Sequence, residues 1–246
     1  MRIDILTLFP EFFDSPLHQS MLRRAQALGK VSFRVLNLRD YAHDRHKVAD
    51  DRPFGGGPGM VMKPEPLVTA IRRLREEDPD LRVVFLSPSG RLFDQATAVE
   101  LAQAASLLLI CGHYEGVDDR VRRFIDDEIS IGDFVLTGGE IPAMVVADAV
   151  TRLIPGVLGN EAATEEESFQ TGLLEYPHYT RPRDFEGLTV PEVLLCGDHA
   201  RIARWRREQA LLRTRELRPD LLEKAPLSSE DRKFLEKLAQ DSGKDR

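Results

Sequence analysis

Five short apolar runs alternate with stretches whose apolar residues recur at helical spacing. The runs cover residues 3–9 (IDILTLF), 31–36 (VSFRVL), 82–86 (RVVFL), 107–111 (LLLIC) and 129–136 (IGDFVL at its end), and they read as buried strands. Between the first two, Phe12, Phe13, Leu17, Met21, Leu22 and Ala25 predict a helix over 11–28, with Gly29 as its stop. Further helices are predicted over 64–75, where Pro64 stands at the start, over 95–105 behind an Asp94 N-cap, over 118–125 and over 140–153. The third strand should end at Ser87-Pro88-Ser89-Gly90. Strand and helix alternating in this way predict an α/β domain with a mostly parallel sheet.

The pattern breaks twice. Residues 37–62 are rich in charge, then in glycine, and have no sustained period. A stretch this long inside a compact domain is usually functional, and its charges beside Gly55, Gly56, Gly57 and Gly59 suggest a polar site with a mobile lid; a flexible surface loop is the plainer alternative. Residues 160–171 (NEAATEEESFQT) are polar and acidic and read as an interdomain linker. Beyond them, a Pro-rich segment leads into predicted helices over 191–195, 198–215, 219–223 and 229–241, the last with Ser228 and Asp231 in a capping-box-like start. The expected organisation is a domain over 1–159, a flexible linker over 160–171 and a small all-helical domain over 172–246.

Composition narrows the class. The chain has 246 residues, 42% of them apolar and 30% charged, which suits a soluble globular protein. A net charge of −7 means that any nucleic-acid binding must come from a local patch. Cys111 and Cys196 stand far apart and in no CxxC pattern, which fits a reducing compartment. No signal peptide is visible, and no run approaches the roughly 18 apolar residues of a membrane span. The expectation is a cytoplasmic protein.

Two stretches carry candidate chemistry. In 111–143 (CGHYEGVDDRVRRFIDDEISIGDFVLTGGEIPA), five glycines are interleaved with Tyr114, Glu115, Asp133 and Glu140 where strands should end. Open α/β sheets bind ligands at such ends, although three ordinary strand-to-helix turns would have the same spacing. The other is 201–218, with seven arginines against two glutamates, a local charge of +5. Trp205 sits among them, and His178, Tyr179, Arg181 and Arg183 lie upstream, a mixture suited to phosphate contacts and base stacking. A solvated helix face salt-bridged to the acidic linker is the alternative. Other motifs fail: GGGPGMVMK lacks the Gly-Lys-Ser/Thr of a phosphate loop, no GxGxxG follows a strand, and no GxSxG occurs. His43 and His46 have no further ligands at metal-binding spacing.

Seven stretches together resemble a known family: LFPEFF, HDRHKVADDRPFGGGPGM, FLSPSGR, CGHYEGVDDRV, SIGDFVLTGGEIPA, RLIPGVLGN and GLLEYPHYTRP. They extend in order over nearly the whole chain, and they resemble the bacterial tRNA (guanine-N1)-methyltransferases of the knotted SPOUT superfamily. The resemblance implies a SPOUT-type parallel sheet with a deep trefoil knot and a homodimer with active sites at its interface. It also implies S-adenosylmethionine as methyl donor and, as substrate, N1 of guanosine 37 of tRNA, beside the anticodon. By motif, the donor pocket should include Leu86, Ser87, Pro88, Gly112, Tyr114, Gly116, Ile131, Gly132, Phe134, Leu136, Gly138, Gly139 and Pro142. Glu115, Asp50, Pro58 and Gly59 should lie near the target base, with Arg52 beside them, and Arg201, Arg204 and Arg207 are candidate tRNA contacts. Arg152, in RLIPG, resembles the catalytic arginine.

One position departs from the family. Its members usually carry Asp before the linker Ser-Phe as general base, and this chain has Glu167 before Ser168-Phe169. Glu is one methylene longer, and a misplacement of about 1 Å can cost about a hundredfold in rate. Glu167 is assigned the proton-accepting role by position, with Glu165 and Glu166 as neighbours that could substitute. No residue is assigned to a metal, although the chemistry leaves room for magnesium. The rival readings are methylation of another RNA position and an RNA-binding module without catalysis.

Overall fold

Strand β1 (Arg2–Thr7) is followed by two 3-10 turns, Pro10–Phe13 and Pro16–His18, and then by helix α1 (Ser20–Ala27). The single helix expected over 11–28 is thus broken, since Pro16 has no N–H to donate to a helix running through it. Next come β2 (Ser32–Asn37), the two-residue strands β3 (Asp50–Asp51) and β4 (Val61–Met62), and α2 (Pro64–Glu77). They are followed by β5 (Arg82–Leu92), α3 (Gln95–Ala102), β6 (Ser106–Cys111), a 3-10 helix at Asp119–Phe124, β7 (Asp127–Ser130) and α4 (Glu140–Thr151). The computed structural model describes residues 1–159 and 167–242, and the chain divides into two compact units, Met1–Gly159 and Asn160–Arg246.

In the first unit all five long strands are parallel, in the order β2-β1-β6-β5-β7. Successive side chains of a strand point to opposite faces, and both faces are covered. Ile3, Ile5, Leu107, Leu109, Val84 and Leu86 pack against Leu22, Ala25, Leu101, Ala143, Val146 and Val150 of α1, α3 and α4. The intervening Leu6, Leu108, Ile110, Val83 and Phe85 pack against Leu67, Ala70, Ile71 and Leu74 of α2. This is why the strands read as nearly continuous apolar runs.

Three expectations about this unit are corrected. β5 does not end at Leu86: it resumes its pairing with β7 at Arg91, and segment 87–90 bulges between the two registers. β7 stops at Ser130, where the Ser130 hydroxyl donates to Gly132 O at 3.1 Å and turns the chain, so 131–138 is a loop rather than strand. The expected helix over 118–125 is a 3-10 helix, with the Asp118 side chain accepting from Arg120 N.

The second unit contains the 3-10 turn Glu192–Leu195, α5 (His199–Leu217), α6 (Pro219–Leu222) and α7 (Ser229–Ser242). Ser228 N donates to Asp231 Oδ2 at 2.8 Å and Asp231 N to Ser228 Oγ at 3.1 Å, a reciprocal cap. The unit is not all-helical: β8 (Asp184–Phe185) and β9 (Leu188–Thr189) form a hairpin around Glu186-Gly187, both with positive φ, as a twisted two-residue turn requires. Residues 167–172 form a hydrogen-bonded turn, in which Phe169 N donates to Leu173 O at 2.8 Å. Glu165, Glu166 and the rest of 160–166 lie outside the described residues.

Candidate active site

The bulge of β5 and the C-terminal ends of β6 and β7 open onto a cavity of about 630 Å³. Strand β6 leaves the sheet at Cys111 and runs into the loop 112–116, while β7 runs into the loop 131–138. The two loops are stitched together, for His113 and Gly138 form an antiparallel bridge and Gly139 N donates to Gly112 O at 2.8 Å. Gly139 must be glycine, since a Cβ there would stand 2.6 Å from the Cys111 Cα, a backbone atom that cannot move aside. Tyr114 adopts φ +59, a left-handed conformation that a bulky residue holds only when its surroundings enforce it.

All thirteen residues expected around the methyl donor line this one cavity. They come from the bulge 87–88 and the strand before it, the 112–116 loop, the 131–138 loop and the start of α4. A cavity of this volume, apolar with exposed backbone polar groups, fits a nucleoside-sized ligand. The His113 Nδ1 is buried in the wall without a hydrogen-bond partner among the described residues.

The long segment 37–62 returns to the same rim. Met62 N donates to Gly116 O at 2.9 Å, Glu115 N to Met60 O at 3.0 Å, and Asp118 N to Met62 O at 2.9 Å. β3 pairs Asp50 with Met62, and Gly59 lies against the Glu115 side chain with φ +81, where any Cβ would be strained. The structure therefore brings Asp50, Gly59 and Glu115 to one edge, where Glu115 lines the cavity. Pro58 precedes Gly59 on the exposed glycine turn, as does Phe54, which is 100% exposed.

A polar strip escaped the sequence reading. Ser87 Oγ lies 3.0 Å from Ser89 Oγ, Ser89 Oγ donates to Glu128 Oε1 at 3.2 Å, and Arg122 pairs with Glu128 and, at 2.7 Å, with Asp119. Ser89 and Arg122 line the cavity. Local sequence does not give their pairing, because the strip exists only where the β5 bulge folds beside β7. Beneath the floor, Glu140 is 6% exposed and accepts from Thr7 Oγ1 at 2.7 Å. Burial, with Glu140's charge adding to it, pushes the Cys111 thiol well above its usual range, so Cys111 is packing rather than a nucleophile.

Of the two expected catalytic residues, Arg152 is not among the cavity lining of its own unit. Arg152 is the C-cap of α4, twelve residues beyond Glu140, and thus roughly 18 Å along the helix from the cavity floor. Glu167 opens the described part of the second unit, where Gln170 N donates to its carbonyl at 3.2 Å.

In the second unit, Arg201 and Arg204 are exposed on α5. Arg207 is otherwise committed: its Nε and Nη2 reach the Asp231 carboxylate at 3.1 and 2.8 Å, and the side chain of Asp231 is only 6% exposed. Arg206 lies 4.8 Å over the Tyr176 ring. Two of the seven arginines over 201–218 are thus engaged in internal structure. Among the described residues there is no cluster of His, Cys, Asp or Glu that could hold a metal, and no helix is long and apolar enough to cross a membrane.

A parallel sheet with a glycine-walled cavity at its strand ends defines an open α/β protein of the class that binds ligands at that edge. Comparison with known proteins narrows it. The family described as tRNA (Guanine-1)-methyltransferase TrmD matches residues 1–224. A tRNA (guanine-N(1)-)-methyltransferase of Dictyoglomus turgidum is 58% identical over 238 residues, 97% of this chain and 96% of the relative. Relatives of the same description from Geobacter metallireducens and Halalkalibacterium halodurans are 56% and 55% identical, covering 99% and 97% of this chain and 100% and 98% of their own lengths. The chain belongs to the tRNA (guanine-N1)-methyltransferase family.

Proposed function

We propose that this protein transfers a methyl group from S-adenosylmethionine to N1 of guanosine 37 of tRNA. The observation that carries this reading is the convergence of all thirteen motif residues on one nucleoside-sized cavity in a member of this family. The donor supplies an already activated sulfonium methyl group, so the protein's tasks are positioning and proton removal. Backbone groups of the 112–116 and 131–139 loops hold it, and Gly139 lets them close.

Neutral guanine N1 carries a proton and is a poor nucleophile. Glu167 accepts that proton. Negative charge then grows toward O6, where the Arg152 guanidinium stabilises it. Asp50, Pro58, Gly59 and Glu115 border the base, and Arg201 and Arg204 contact tRNA phosphates. Arg207 contributes through its pairing with Asp231, which orients α5 and α7. No residue among the described ones is assigned to magnesium.

The enzyme works as a homodimer with composite sites. Arg152 stands a helix length from the cavity of its own chain, which favours its serving a partner's cavity. Exposed Phe134, Val135, Ile141 and Val145, on the 131–138 loop and α4, provide an apolar surface for pairing. We read the sheet as the SPOUT sheet with its trefoil knot, and the protein as cytoplasmic.

Labelled-methyl transfer to a tRNA bearing guanosines at 36 and 37 tests this reading. Wild type and Glu167→Asp should transfer, whereas Glu167→Gln should lose about 10²–10⁴-fold in rate. Transfer that persists when guanosine 37 is replaced would reassign the position. Full activity in Glu167→Gln would move the base elsewhere.

A further inference from the structure

Glu140 has no part in the chemistry above, yet its placement is unusual. It opens α4, is 6% exposed, and accepts one hydrogen bond from Thr7. Its Oε2 lies 2.3 Å from where a Cβ on Gly138 would stand, and both Gly138 and Gly139 line the cavity. One thickness of glycine backbone separates this carboxylate from the ligand space. No ion pair with Glu140 is found among the described residues. Burying an unpaired carboxylate is costly, and the helix N-terminus offsets only part of that cost. A glutamine would keep the bond to Thr7 without it. The same Gly138 Cβ position lies 2.6 Å from His113 Nδ1, so the carboxylate and that ring nitrogen share one pocket behind the glycine wall.

The rest of the lining sharpens the point. It carries Glu115 and a single guanidinium, Arg122, which is already paired with Glu128 and Asp119. With Arg122 answered by two carboxylates outside the lining, the carboxylates left without an ion pair among the described residues are Glu115 in the lining and Glu140 behind it. In methyl transfer the S–CH₃ bond breaks, the N1–CH₃ bond forms, and sulfur keeps the electron pair, so a sulfonium becomes a neutral thioether. We propose that Glu140 makes the cavity selective for the sulfonium donor over the thioether product, weakening the hold on the product as soon as the methyl group has left. This rests on the donor assignment made above.

The cavity is roughly 10 Å across, so the carboxylate acts on any sulfur position within it, and screening typical of a protein rim leaves about a tenfold preference. Calorimetric titration of the full chain, without RNA, with S-adenosylmethionine and with S-adenosylhomocysteine, tests this. In Glu140→Gln the ratio of donor to product affinity should fall about tenfold, with product affinity unchanged. An equal loss for both ligands would make Glu140 a packing residue and overturn the proposal, as would an unchanged ratio. Wild type gives a reading that needs no variant: equal or tighter binding of the thioether would overturn the proposal directly. Binding of neither ligand would overturn the donor assignment, and this inference with it.

Discussion

The two ends of the parallel sheet are built on opposite principles. At the end where the strands begin, the buried and half-buried charges are gathered into ion-pair networks. Asp4 is fully buried and takes a two-pronged contact from Arg34 at 2.7 and 2.6 Å and another from Arg2 at 3.1 Å, while Arg2 also reaches Asp78 at 3.0 Å. Arg82 and Arg91 share Asp127 and Glu100 in the same way. At the end where the strands finish, the opposite holds. Backbone is brought together by glycine, Tyr114 is strained, His113 Nδ1 and Glu140 find no hydrogen-bond partner and no cation, respectively, among the described residues, and Phe134 and Val135 face solvent. A satisfied end contributes stability, and an unsatisfied end is held in readiness for a ligand or partner that completes it.

That contrast can be tested by moving damage from one end to the other. The largest effect should come from Asp4→Ala, which leaves Arg34 and Arg2 without their shared anion. Denaturant unfolding should show a loss of about 2–4 kcal/mol, with donor affinity nearly unchanged. Comparable loss of donor affinity would mean the two ends are not separable. Arg152→Ala should lower single-turnover methyl transfer by about a hundredfold, near 2.7 kcal/mol, with little change in melting temperature. Mixing that variant with Gly139→Val, inactive through its cavity, should return activity, because the mixed dimer joins an intact cavity to an intact Arg152. No recovery after subunit exchange would place Arg152 in its own chain's site.

A smaller effect concerns the second unit. The Arg207 guanidinium, opposed by burial and helped by the Ser228 cap, holds the Asp231 carboxyl at about 2, below its usual 3.8. A lowered folded value stabilises the unit once pH exceeds the unfolded value near 4, and the contribution fades as pH falls from about 4 to 2. It should amount to about 2 kcal/mol. Unfolding of wild type and Asp231→Asn, followed between pH 7 and pH 2, checks this: the gap should close on acidification. A gap constant with pH would assign Asp231 to packing alone.

How far the molecule could be read in advance differs by element. The parallel sheet was legible because both faces of its strands are buried, leaving apolar runs such as 107–111 that little else explains. The thirteen cavity residues were legible through motifs, and the glycines among them through their density at strand ends. The 131–138 loop was not. Phe134, Val135 and Leu136 continue an apolar run into what reads as strand, and only the turn at Ser130 and Gly132 reveals them as surface. Arg207 misled for a related reason: composition counts a guanidinium but does not say which carboxylate it meets.

The sequence alone determined the layers of the parallel sheet and the helix caps at Asp94 and Ser228. These follow from local propensity and from burial along a single element, information that neighbouring residues carry. Tertiary structure decided what depends on distant partners. It set the bulge of β5 beside β7, the strip from Ser89 to Arg122, the pairing of Arg207 with Asp231, and the burial of Glu140 against Thr7, 133 residues away in the chain. Whether a charged side chain serves as a solvated contact, a structural tie or an electrostatic device depends on its dielectric surroundings and its nearest opposite charge, and only the folded chain defines both.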